Sequence, residues 1–199
     1  MSVGVRPPFA RPLVAGAGRP GPGTVHLVTR VLEALMAGIG PVPCHTPLVL
    51  SATDHCLLAV TEFVARCEDT TRRLRPSVSL ALEPSLLLGR FTVEHRWPGP
   101  SYALVTPGGA GPAALRWATA AVDSGTAPAA VVCEVVHGRP AGEDSVLVVA
   151  GLLAPGGAES AVHPVTTDMH PGDPDQLRGT FGSALLRAAT GADRWEVRT

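Results

Sequence analysis

Two strongly apolar runs, Ala129–Val136 and Ser145–Leu153, constrain this chain more than any other feature of its sequence. A strand with one wet face alternates apolar and polar side chains. These two runs do not alternate, so both of their faces need a cover. The rest of the sequence supplies it. Leu27, Val28, Val31, Leu32 and Leu35 recur at helical spacing across Val25–Ala37, with Thr24 placed to cap that helix and Gly38 to end it. A second helix is expected after Ser51 or Thr53, carrying Leu57, Leu58, Val60, Phe63 and Val64 as far as about Glu68. A third runs from Pro84, a favourable first-turn residue, to about His95. A fourth uses Ala114, Leu115, Trp117, Ala118, Ala121 and Val122 and stops at Ser124-Gly125. Short apolar strands, Leu48–Leu50 and Tyr102–Val105, fall between the helices. Strands alternating with helices predict an α/β domain, one mixed sheet covered by helices.

The 199 residues fit one such domain, with expected limits at 24–153. Residues 1–23, dense in Pro and Gly, read as an irregular arm with one short strand at Leu13–Ala15. Residues 154–199 read as a Pro/Gly-interrupted tail of the same globule with one helix, Asp175–Ala189. Hydrophobic residues make up 45% and charged residues 17%, a globular balance, and the net charge of −1 excludes strong attraction to nucleic acid or an anionic membrane. No apolar run is long enough for a membrane span, and Met1–Pro22 lacks the apolar stretch of a secretory signal, so a cytoplasmic protein is expected. Cys44, Cys56, Cys67 and Cys133 follow neither a CxxC nor a disulfide pattern and are expected as buried free thiols.

The most specific information lies between Pro76 and Val136. There a helix with the step Gly89-Arg90 leads to the turn Gly99-Pro100-Ser101 and the strand Tyr102–Thr106. A Gly-rich turn, Pro107–Gly111, a long helix and the stop Ser124-Gly125 follow, ahead of the next strand. In order, spacing and residue type this stretch resembles the core of β-ketoacyl synthases and their chain-length-factor relatives, in the thiolase-like superfamily. Leu48–Glu68 fits the preceding strand and helix more loosely. The resemblance implies the N-terminal half of a thiolase-like layered fold. It implies that the strand Tyr102–Thr106 pairs with its counterpart in another subunit, which puts Tyr102, Leu104 and Thr106 at an interface. It also implies that the segment holding Leu80 and Leu86 faces the partner ketosynthase and lines the tunnel for a growing acyl chain.

The departures from the family pattern bear on chemistry. Family enzymes carry the acyl-accepting cysteine two residues after the threonine that ends the strand. That threonine is Thr106, so the nucleophile position is Gly108, which has no side chain to form a thioester. The family takes two histidines from a C-terminal half of the same topology. Only His163 and His170 follow here, in a Pro-rich stretch, and such a half is not expected. The implied protein has no catalytic residue, no cofactor and no metal. It is a non-catalytic partner subunit in polyketide, polyene or fatty-acid-type biosynthesis, forming a heterodimer with a full-length ketosynthase. An acyl carrier protein is a further implied partner, and a homodimer is the alternative assembly. Two competing readings remain. One is an enzyme that decarboxylates or hydrolyses a carrier-bound thioester, which needs a polar, perturbed residue near Gly108. The other is a stand-alone carrier-binding module, with Arg72, Arg73 and Arg75 attracting the acidic carrier.

Other motifs carry less. Gly16-Ala17-Gly18-Arg19-Pro20-Gly21 matches GxGxxG, but Pro20 and Pro22 oppose the helix start that a pyrophosphate site requires, and a flexible arm is the expectation. Cys44-His45 and His55-Cys56 could supply four zinc ligands, against the simpler reading of buried cysteines beside partly exposed histidines. His163, Asp168 and Ser183 form a triad only on paper, and no GxSxG elbow occurs.

Overall fold

The computed structural model describes residues 10–18, 23–52, 55–71, 73, 75, 77–80, 82–105, 111–138 and 145–155. Five strands form one mixed sheet: β1 (Ala10–Gly18), β2 (Leu48–Ala52), β3 (Ser101–Leu104), β4 (Ala130–Gly138) and β5 (Ser145–Leu153), in the order β1-β5-β4-β2-β3. β2 is parallel to both β3 and β4, whereas β5 is antiparallel to both β4 and β1, so β5 alone runs against the others. Five helices are interspersed: α1 (Gly23–Ile39), α2 (His55–Glu68), α3 (Ser77–Leu80), α4 (Leu86–Glu94) and α5 (Gly111–Asp123).

Connectivity explains the layering. The chain moves outward from β2 to β3, then returns across β2 to β4. Right-handed crossovers that run in opposite directions along a sheet leave their helices on opposite faces. Accordingly α4, joined by α1, covers one face, where Val28, Leu32, Leu35, Leu87 and Phe91 pack on Leu48, Leu50, Val131, Cys133, Val135, Val146 and Val148. On the other face Ala114, Ala118 and Val122 of α5 pack on Val49, Ala130, Val132, Val149 and Leu153. The pleat sends alternate residues of β4 and β5 into two separate cores, which is why neither run alternates in polarity.

Several boundaries differ from expectation for identifiable reasons. The N-terminal arm contains a nine-residue strand, not a three-residue one. It pairs antiparallel with β5, and its register shifts between Arg11 and Leu13, at Pro12, which has no N–H to give the ladder. Gly16 and Gly18 of the GxGxxG motif lie in that strand, paired with Val148 and Val146, and do not open a helix. Helix α1 starts at Gly23, so Thr24 is inside it, and its buried Oγ1 makes no hydrogen bond among the described residues. The helix ends at Ile39, two residues beyond the expected Ala37. Gly40, at φ +74°, donates its N–H to Met36 O at 2.9 Å, the left-handed stop for which glycine is suited. Leu80 belongs to the short helix α3, separate from α4. Ser124-Gly125 ends α5 as expected, with Gly125 at φ +71°. The tail helix expected at 175–189 lies outside the described residues. Among the described residues no helix is long and apolar enough to cross a membrane.

The entry to β3 is fixed by a close approach. Leu48 N–H donates to Pro100 O at 2.9 Å, and the Trp97 indole N–H donates to Thr46 O at 3.1 Å. Gly99 sits against the Thr46 peptide, and a Cβ there would fall 2.6 Å from its carbonyl carbon. The glycine of Gly99-Pro100-Ser101 is therefore a packing requirement. Gly99→Ala should cost roughly 2–3 kcal/mol as overpacking against backbone. Gly89→Ala, in α4 with nothing within 4 Å of its Cβ, should instead gain about 0.5–1 kcal/mol. Opposite shifts of the thermal midpoint, read by circular dichroism, check both.

Candidate functional site: the β3 edge and the buried end of α5

β3 and the first turn of α5 flank residues 106–110, so Thr106 and Gly108 lie outside the described residues. What surrounds them in sequence is described. β3 pairs on one side only, with β2, from Leu48 opposite Ser101 to Ser51 opposite Leu104. Its other edge carries no strand among the described residues. Ser101, Tyr102 and Ala103 are exposed and Leu104 is half-buried. The Tyr102 ring packs on Trp117 of α5, with centroids 5.0 Å apart and planes at 59°, yet these residues remain 43% and 40% exposed. Val105 is also exposed. Open strand edges and exposed aromatic side chains are features shared by surfaces that take up partners.

Leu80 and Leu86 are 55% and 43% exposed and belong to neither core, whereas their neighbours Leu87 and Leu88 are buried between α1 and the sheet. Arg73 and Arg75 are exposed; Arg72 lies outside the described residues. His163, Asp168 and Ser183 do so too.

Behind the β3 edge, on the α5 face, the sheet carries a polar group that the apolar pattern hides. Glu134 stands in β4 opposite Ser51 of β2 and Val149 of β5, and is 2% exposed. A carboxylate so buried needs compensation. α5 provides it. The carboxyl group lies against Gly111, the first residue of α5, where the helix presents unpaired N–H groups and the positive end of its dipole. A Cβ on Gly111 would fall 2.6 Å from Glu134 Cδ and 2.8 Å from Oε2, so the missing side chain is the room the carboxylate occupies. No acid lies in the first turn of α5 itself. Ser51 Oγ is buried in the neighbouring strand, one register step across on the same face, and makes no hydrogen bond among the described residues. Sequence reasoning passed over Glu134, although one acid inside the run Ala130–Gly138 was the available signal.

The cysteines divide. Cys133 is buried in the α1–α4 core; burial, and secondarily the Glu134 charge, push its thiol far above the ordinary range, so it is inert. Cys44 and Cys67 are exposed, contrary to the expectation of buried thiols, because Cys44 falls in the loop before β2 and Cys67 on the outer side of the last turn of α2. Neither Cys44 nor His45 belongs to a metal-ligand cluster among the described residues, and the side chains of His55 and Cys56 lie outside the description. The group that does bring ligand atoms within 4.8 Å, Glu33, Glu94 and His95, is exposed. Its members already pair as a surface clamp: His95 Nε2 lies 3.1 Å from Glu33 Oε1, and Arg90 Nε donates to Glu94 at 2.9 Å.

This sheet order with helices on both faces defines a layered α/β fold, and one superposition specifies which one. The ishigamide ketosynthase/chain length factor superposes with a TM-score of 0.53 over 82% of this chain and 54% of that one, at 17% identity. A ketosynthase in complex with its chain length factor from Xenorhabdus doucetiae aligns over 67% of this chain and 56% of that one, at 10% identity and a TM-score of 0.49. The fold is thus ketosynthase-like and thiolase-type, as the Pro76–Val136 resemblance implied. The chain spans about half the length of the solved structures it matches. No family model and no curated protein matches the sequence.

Two measurements check the site. Iodoacetamide applied to the native protein should label Cys44 and Cys67 and spare Cys133 until the chain is unfolded, as read by peptide mass spectrometry. Gly111→Ala should cost roughly 1–3 kcal/mol by driving a methyl group into the carboxyl group, visible as a lower urea midpoint.

Proposed function

We propose that this protein is a non-catalytic, chain-length-factor-like partner of a ketosynthase in polyketide, polyene or fatty-acid-type biosynthesis, docking through β3. The observation that carries this reading is the open β3 edge with Tyr102, Val105 and Trp117 exposed beside it. A second strand added there would satisfy the free backbone groups and cover the rings. Tyr102, Leu104 and Thr106 are then the interface residues. The resemblance supports the absence of condensation chemistry, because it assigns the nucleophile position to Gly108. The shared fold adds support, since one similar structure is named for both a ketosynthase and a chain length factor. Exposed Leu80 and Leu86 suit contact with the partner near its acyl tunnel, and exposed Arg73 and Arg75 suit an acidic carrier protein.

A second reading, decarboxylation or hydrolysis of a carrier-bound thioester, is favoured by Glu134, a buried acid at the end of α5. Native mass spectrometry separates the two. Co-expressed with a full-length ketosynthase of the same organism, this chain should appear as a one-to-one complex, and Tyr102→Glu should weaken that complex at least about tenfold, a hot-spot-sized loss. A monomer or homodimer indifferent to the ketosynthase, with turnover of a carrier-bound malonyl group that Glu134→Gln abolishes, would instead support the thioester enzyme.

A further inference from the structure

Away from the β3 edge, on the outer side of the α1–α4 pair, three side chains have the chemistry of a metal site. Glu33 of α1, Glu94 at the end of α4 and His95 just past it offer ligand atoms that all lie within 4.8 Å of one another. This set shares no residue with Cys44-His45 or His55-Cys56. Two carboxylates and one imidazole suit a borderline divalent ion such as Zn²⁺, whereas the hard ions Mg²⁺ and Ca²⁺ prefer oxygen ligands alone.

The scaffold holds each ligand in place. Val28, Leu32, Leu35, Leu87 and Phe91 pack α1 and α4 into one core, so Glu33 meets the other two residues across a fixed pair of helices. The His95 imidazole stacks on Phe91 with ring centroids 4.7 Å apart, and its Nε2 lies 3.1 Å from Glu33 Oε1. Arg90 Nε donates to Glu94 Oε1 at 2.9 Å, and Arg90 Nη1 in turn lies 3.3 Å from His26 Nδ1. Partners of this kind orient metal ligands from behind. A carboxylate has two oxygens, so Glu94 can keep Arg90 on one and offer the other to an ion. The three ligands also gather at the C-terminal end of α4, where the helix dipole favours a cation.

We propose that Glu33, Glu94 and His95 form a Zn²⁺ site that ties α1 to α4. Around an ion at about 2.1 Å, three ligand atoms stand roughly 3.4 Å apart. These side chains are 41% to 47% exposed, so rotamer changes at the surface can close that distance, and water completes the coordination. Without the ion, the His95–Glu33 contact holds the helices together. The ion replaces that contact, His95 binds through the Nε2 lone pair, and any proton on Nε2 is released to solvent.

The test strips the full chain with a chelator and titrates it with Zn²⁺ by isothermal titration calorimetry. A Cys44→Ser/Cys67→Ser background removes the two exposed thiols as competing ligands. One Zn²⁺ should bind, and the thermal midpoint by circular dichroism should rise with Zn²⁺ but not with equal Mg²⁺. Glu33→Gln and His95→Gln should each weaken binding at least about tenfold and remove the rise. A background protein that binds no Zn²⁺ overturns the proposal. So does binding that Glu33→Gln leaves unchanged, which puts the ion elsewhere on the chain. That result stands even where His95→Gln, which loses the stack on Phe91, fails to fold. The readout needs no partner, so this proposal can fall while a ketosynthase complex still forms, and the reverse.

Discussion

Everything in this structure hangs on the two-sided burial of β4 and β5. Their alternate residues point into separate cores, Cys133 and Val148 towards α1 and α4, Val132 and Val149 towards α5. Two apolar faces must each find a helix, and the return crossover from β3 across β2 to β4 delivers α5 to the face that α4 leaves open. Burial at about 25 cal/mol per Å² of apolar surface makes this central pair the main source of stability. The short edge strand β3 is positioned by it through β2.

The same topology decides where polar groups can sit. β2, β3 and β4 run in one direction, and the chain reverses its progress along the sheet at β3. Layered α/β proteins place their chemistry outside the carboxyl ends of parallel strands at such a reversal. Here that neighbourhood holds the first turn of α5, Glu134 and Ser51. A buried acid thus stands at this end of the sheet, beside the start of α5.

The long elements were legible because their signals are local and strong. β5, the stop of α5 at Gly125 and the general course of α1 follow from apolar pattern and glycine alone. β1 was shortened because Pro12 and the glycines argue against a strand, whereas long-range pairing with β5 overrides that preference and absorbs Pro12 in a register shift. Thr24 looked like a cap because sequence cannot show that α1 begins one residue earlier, at Gly23. Of the site, the β3 segment was readable through the Gly99-Pro100-Ser101 turn, but Glu134 was not. Its meaning depends on Gly111, distant in sequence and brought to it only by the crossover of α5.

The two margins of the sheet are unlike one another. β1 carries Pro12 and a break in its register with β5. β3 is regular along its length and bordered by Tyr102. Two such sheets joined margin to margin at β3 would leave their β1 margins at the outer ends of the pair.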